Sequence, residues 1–279
     1  MPKISAVKPT TKLNVQRVKT HKRSTLLWSQ RSLTWWLRGV SLLIIFVLWE
    51  WYGRTTNPIL FTYPTAIAQS AIEMIADHTL LIALTQSMSV FAIGLVLGTV
   101  LGVVLGLVTG RVKVMAALLD IPITALYVTP IVALVPILVL WFGFGMLAKI
   151  VIVMLFAIFP VLINTMRGVR EIDPRLVEVA RSFCSTEYRQ WIDLVLPSAL
   201  PFIMTGIRLA IGRALIAVVV AEFYTAVSGL GYLIVANAHS FQTARVFVPV
   251  VVLMVIGVIS TLVLEIIEAY ILPWRHRHN

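Results

Sequence analysis

Apolar and polar positions alternate along this chain in long blocks. Six continuously apolar stretches run at about 35–52, 82–109, 115–141, 147–166, 199–221 and 246–270, with the third and fourth divided only by FGFG at 142–145. A helix needs roughly 20 mainly apolar residues to cross a bilayer core, and each stretch meets that length. None shows the every-other-residue pattern of a membrane barrel strand, so the expected spanning form is helical. The pattern predicts an all-α integral membrane protein with six transmembrane helices. It is organised as a basic tail over 1–34, a membrane domain over 35–272 interrupted by a charged insert at 167–197, and a short tail over 273–279.

Three spans contain more than apolar filler. In the second, Gly94, Gly98, Gly102, Gly106 and Gly110 recur every four residues and share one side of a helix. A bare side lets a neighbouring backbone approach closely, so these positions predict helix packing. Pro122, Pro130 and Pro136 interrupt the third span and Pro160 the fourth. Each removes a backbone hydrogen bond, a defect tolerated in lipid only beside protein or a watery cavity. Two readings are open: with Asn164 these segments line a transport path, or the prolines are ordinary kinks between packed helices. The fifth span carries Arg208 and Arg213, with Glu222 near its far end. At about 1.5 Å per residue Arg213 lies beyond the bilayer midplane, where a charge marks either a pathway or a buried pair. Arg213 is thus either an electropositive point on a route for an anion or a partner of Glu222, Glu265 or Glu268. Arg208 is shallower and reads as a structural, snorkelling cation.

Composition agrees with the pattern: 59% of the 279 residues are hydrophobic and only 13% charged. That excludes disorder, and the single Cys184 excludes a disulfide scaffold. The net charge of +11 would suggest nucleic acid in a soluble chain, but its placement argues otherwise. Of 23 Lys and Arg, only Arg54, Lys149 and Arg245 fall on one side of the spans, with Arg208 and Arg213 inside the fifth. The remaining cations share the other side, which puts both termini and the 167–197 insert in the cytoplasm. The first 49 residues hold no acidic side chain. Such a stretch fits a transit peptide or a basic tail held on anionic lipid, and the tail is the plainer expectation.

Nothing in the sequence is arranged for catalysis. There is no Gly-Lys pair and so no phosphate-binding P-loop, and no Gly-x-Ser-x-Gly elbow. His21, His78, His239, His276 and His278 show no metal-ligand spacing. No nucleotide, metal or other cofactor is expected on this chain. The acids Glu50, Asp120, Glu222, Glu265 and Glu268 sit towards span ends, which argues against a proton-driven carrier.

The insert reads RGVREIDPRLVEVARSFCSTEYRQWIDLVLPSALP over 167–201. Asp173 followed by Pro174 is a helix start, and Leu176, Val177, Ala180 and Phe183 recur at helical spacing. A second short helix is expected through Trp191 to Leu196, stopped by Pro197. An apolar stripe on such a helix suits either a docking partner or the lipid surface.

Glu178-Val179-Ala180, followed by Leu196-Pro197 with the proline nineteen positions after the Glu, resembles the EAA loop of ABC-importer permeases of the binding-protein-dependent class. PIVALVP at 130–136, LWFG at 140–143, FPVLINT at 159–165, GIRLAIG at 206–212, AE at 221–222 and SGLGYLI at 228–234 resemble its sulfonate, nitrate and taurine branch. The resemblance spans roughly 60–270. It implies a multi-pass protein of the bacterial inner membrane, working as a dimer with two cytoplasmic ATPase subunits and an extracytoplasmic binding protein. ATP and Mg would then be held by the ATPase. Asp173, Glu178, Ala180, Arg181, Cys184, Leu196 and Pro197 would belong to the coupling loop seated on it. Ser228, Gly229 and Gly231 would begin an outer lip, with Ala236 to Phe241 facing the binding protein. The family commonly has glycine where this chain has Cys184, and a left-handed turn there would cost cysteine about 1 kcal/mol or more. The branch handles small anions but also pyrimidine precursors and aromatic acids, and Arg213 favours an anion. A secondary transporter, a membrane scaffold and a lipid-modifying enzyme are the competing readings.

Overall fold

The computed structural model describes residues 26–57 and 59–272, with side chains from residue 36 onwards. The expected basic tail up to residue 25 and the 273–279 tail lie outside the described residues. Two units divide the chain, residues 1–49 and 50–279. In its described part the first is a stretch of α1 (Leu26–Thr55), so helix begins nine residues before the apolar run at 35. Trp36, Leu42, Leu43, Phe46 and Leu48 are exposed along it, as suits a helix whose neighbours are lipid. Among the described residues the chain is helical without strands.

Among the described residues the second unit completes α1 and adds ten helices and a π turn. α2 (Pro64–Ala76) was not foreseen, because thirteen residues are too few to span. Pro64 opens it, and Glu50 caps it from α1 by accepting from Thr65 N at 3.1 Å and Thr65 Oγ1 at 2.7 Å. α3 (Thr79–Arg111) follows a left-handed His78. Just outside that span, hydrogen bonds from the Thr79 hydroxyl and amide hold the Asp77 carboxyl below the ordinary carboxylate range.

The third apolar run is not one continuous helix. It forms α4 (Lys113–Val128) and α5 (Ile131–Phe142), bent by 95° at Thr129–Pro130. The cause is local: Pro130 disfavours helix at the residue before it, and Thr129 is extended at φ −62°, ψ 128°. Pro122 and Pro136 stay inside their helices. With this bent pair counted as one span, there are six candidate spans among the described residues.

α6 (Met146–Arg170) is the centre of the unit, packed most extensively against α3. A methyl group placed on Gly94, Gly98, Gly102, Gly106 or Gly110 would lie 2.6–2.8 Å from the Cβ of Val153, Ala157, Val161, Thr165 or Val169 respectively. Two rows of period four thus mesh, glycine against β-branched or small residue, and the α6 backbone fills the space the glycines leave. The inner face of α6 meets the next long helix in the same way, with Gly206 against the backbone of Val161.

After α6 the chain forms α7 (Pro174–Ser182), α8 (Glu187–Gln190), a π turn (Trp191–Val195) and α9 (Leu196–Thr225). The expected stop at Pro197 is therefore corrected. Helical structure runs without a break from Glu187 to Thr225, the wider π turn just before Pro197 giving its ring room against the preceding turn. α10 (Leu230–His239) and α11 (Thr243–Ile271) complete the unit. The main core gathers Phe91, Val135, Ile152, Val153, Met204 and Val218 from α3, α5, α6 and α9.

Candidate functional site

Three groups of residues bear on function, one at each end of the helices and one between. At the first end lies the 167–197 insert. Asp173 caps α7 by accepting from Arg175 N at 2.9 Å, and Pro174 follows as first helical residue. The helix ends in a Schellman motif: Ser185 N donates to Ala180 O at 3.0 Å and Cys184 N to Arg181 O at 2.9 Å. Cys184 is the left-handed residue of that motif, at φ 52°. Cysteine stands where glycine is preferred, and exchanging it should relieve about 1 kcal/mol of backbone strain. Cys184→Gly is expected to raise the thermal midpoint by roughly 2–4 °C, read by unfolding in detergent. An unchanged or lower midpoint would show that the Cys184 side chain has a stabilising contact of its own.

The apolar stripe of α7 divides. Val177 and Ala180 are half-buried, while Leu176, Val179 and Phe183 are exposed, Phe183 at 82%. Glu178 and Arg181 are exposed beside them. The base of the insert is held by contacts that the sequence did not single out. Arg111, at the end of α3, donates to Gln190 Oε1 at 3.1 Å and pairs with Glu187 at 3.5 Å; Gln190 Nε2 in turn donates to Ser185 O at 3.1 Å. Val169, Val195, Ala199 and Ile203 form a small core beneath. The insert thus presents an apolar edge on a footing fixed from α3, α6 and α9.

Between the ends, Arg213 is exposed on α9, with its guanidinium carbon 5.5 Å from the centre of the Tyr127 ring of α4, a cation–π arrangement. Tyr127 in turn lies against Phe159 of α6, ring centres 6.4 Å apart. The ion pair considered for Arg213 is made by the other arginine: Arg208, itself exposed, donates to the buried Glu268 Oε2 at 2.8 Å. Asn164 donates to the Pro160 carbonyl of its own helix at 2.7 Å, and Pro130 and Pro136 are exposed on or beside α5. Glu222 is remote from this group, about 13 Å along α9 from Arg213.

Glu222 belongs to a buried polar cluster at the opposite end. Its carboxylate, 0% exposed, accepts from Ser87 Oγ of α3 at 2.7 Å and from Gly231 N at 2.7 Å. Leu230 N donates to Ser87 Oγ at 2.8 Å. From α6, Lys149 Nζ donates to Ser228 O at 2.8 Å and Ser228 Oγ at 3.0 Å. Segment 228–231 is therefore tied down by one side chain from each of α3, α6 and α9. Its glycines follow from the same contacts. Gly229 has φ +104°, and a methyl group there would collide with the Glu222 carboxylate. Leu230 and Gly231 are buried, so what was expected as a lip is the anchored start of α10. Sequence reading assigned neither Ser87 nor Lys149 to this cluster.

Residues 94–274 match the family described as binding-protein-dependent transport system inner membrane component. This chain belongs to that family. The matched region holds α4 to α11 whole, together with the 167–197 insert, Arg213 and the Glu222 cluster apart from Ser87. Among similar proteins, an aliphatic sulfonates transport permease protein of Bacillus subtilis is 34% identical over 88% of this chain and 90% of its own length. Its namesake from Escherichia coli is 38% identical over 58% of this chain and 62% of its own length. A formylaminopyrimidine transport permease protein of Halalkalibacterium halodurans is 30% identical, covering 84% and 94%. The chain is thus an ABC transport permease, a multi-pass membrane subunit rather than an enzyme.

Proposed function

We propose that this permease forms, with a second copy, the translocation path of an ATP-driven importer for a small anion. Two ATPase subunits would dock on the face carrying α7, and a binding protein on the face carrying α10. Both termini would then be cytoplasmic, as the distribution of Lys and Arg requires. The observation that carries the reading is the exposed apolar edge of α7: Leu176, Val179 and Phe183 stand free on a helix whose base is braced through Arg111 and Gln190. Such an edge suits a groove in a partner that must push on the membrane domain, because force applied to it passes directly into α3 and α9. Relatives named for aliphatic sulfonates support an anion, as does Arg213 between helices. The relative named for formylaminopyrimidine leaves Arg213 as the feature that tips the choice.

The test is ATP hydrolysis by the reconstituted transporter with its binding protein, comparing the native chain with Leu176→Asp/Val179→Asp. The charged edge should leave basal hydrolysis in place and reduce substrate stimulation at least about tenfold, the 1.4 kcal/mol equivalent of losing a modest docking contact. Full stimulation in the variant would dismiss the coupling role. In the same vesicles, Arg213→Ala is expected to slow uptake of an alkanesulfonate, and undiminished uptake would remove Arg213 from the path.

A further inference from the structure

The tied segment 228–231 borders a cavity of about 360 Å³ at the end of the helices opposite the insert. One wall is polar, made by Thr85, Gln86 and Ser89 of α3. The other is apolar, made by Phe144 and Met146, and Lys149 and Ser228 complete the lining. Lys149 is 4% exposed. An ammonium group has three N–H donors, and two of Lys149's are taken by Ser228. The counter-charge nearest in the cluster, Glu222, is 0% exposed and occupied by Ser87 and Gly231, so it is not in the cavity lining.

We propose that this cavity is an outer subsite for a small oxyanion carrying a short apolar group. The oxyanion would accept from Lys149 and from the Gln86 amide, while the apolar group would lie against Phe144 and Met146; the Thr85 and Ser89 hydroxyls donate to Ile82 O and Thr85 O of their own helix. Three features argue for a ligand rather than a purely structural lysine. The cation has a donor in excess of its protein acceptors; the cavity lining beside it holds the Gln86 amide and no carboxylate; and the volume lies in the range of small-molecule sites. The chemistry rests on the anion reading above and refines it. Substrate would first be held here by Lys149 and only afterwards meet Arg213, so the two cations act in succession. Because two donors of the same lysine stay on Ser228, a bound anion is linked through Lys149 to the start of α10.

The experiment uses trifluoromethanesulfonate as probe, followed by 19F NMR titration of the purified full-length chain in detergent, with no ATPase or binding protein present. The native chain should bind the probe. Lys149→Gln should weaken binding at least about tenfold, and Lys149→Arg should restore most of it, as expected for a charge-assisted contact. Gln86→Glu, which leaves Lys149 and Ser228 in place, should weaken binding by repulsion even if Lys149→Gln fails to fold. Failure of the native chain to bind would overturn the proposal, as would native-like binding by Gln86→Glu. Binding lost in Arg213→Ala but kept in Lys149→Gln would also overturn the subsite while sparing the anion path. Conversely, a Lys149-dependent site in a transporter that takes up no anion would sink the substrate reading and leave the site.

Discussion

Gly102→Leu is expected to deprive the membrane domain of its folded state, cutting the yield of monodisperse protein at least about tenfold. The first added carbon would already lie 2.8 Å from Ile158 O and from Val161 Cβ, and 3.1 Å from Leu162 N. Two of these three atoms are helix backbone, which cannot rotate away as a side chain can. Overpacking of a close-packed interior commonly costs 1–3 kcal/mol, and more where backbone must move. The cost spreads here, because separating α3 from α6 at Gly102 also loosens the contacts at Gly98 and Gly106. Lipid offers no hydrophobic penalty that would press the two helices back together. Gly212 provides the control: it lies in α9 with open space around its Cα, so Gly212→Ala should leave the yield unchanged. Size-exclusion profiles of the two variants make the comparison. A Gly102→Leu chain that elutes and melts like the native one would mean that the meshed row does not hold α3 to α6.

The sequence carried unequal amounts of information about these features. Period-four glycine names the bare side of α3 because side-chain direction in a helix is fixed by spacing alone. It cannot name the partner, since Val153, Ala157, Val161, Thr165 and Val169 are ordinary residues of an apolar span. Spans were legible because transfer into lipid acts on each segment separately, whereas the break at Pro130 depended on which of three prolines the surrounding helices allowed to bend the chain. Pro197 was misread for a similar reason: a π turn can take up a proline, and that choice is made by packing around Val195 and Ala199. The two arginines of the fifth span were distinguishable by depth, yet only the position of Glu268 on α11 assigns the ion pair to Arg208. At the Glu222 cluster, Ser87 is a lone hydroxyl in an apolar helix and leaves no trace in the pattern. Lys149 did leave one. A cation just inside a span, at the same end as Glu222, is costly enough in lipid to require a reason, and counting it only towards orientation overlooked that cost.

Glu222→Leu is the second large effect expected, and it bears on how the end of the helices opposite the insert is held. Leucine fills a similar volume but removes both acceptors, stranding the Gly231 amide and one partner of Ser87 in a site the native side chain seals completely. Each stranded buried donor costs about 1–3 kcal/mol, so the variant should lose about 3–5 kcal/mol and its thermal midpoint should fall by roughly 10 °C. Glu222→Gln should fall between, because one oxygen survives while the new amide presents N–H groups to a neighbour that is itself a donor. A destabilised midpoint alone would not distinguish this cluster from any other buried polar group. The discriminating quantity is the coupling with Ser87. Ser87→Ala removes the hydroxyl that joins Glu222 to Leu230 N, so part of what Glu222→Leu destroys is already gone in that background. The double variant should therefore be more stable than the two single losses added together, by about 1–2 kcal/mol. Strict additivity would mean that Ser87 and Glu222 stabilise the fold independently, and the picture of one polar clamp on segment 228–231 would have to be abandoned. Limited proteolysis gives the local counterpart. Cleavage between Ala226 and Gly229 should appear first in Glu222→Leu, while the Schellman turn at Cys184, at the far end of the helices, should be cut no faster than in the native chain.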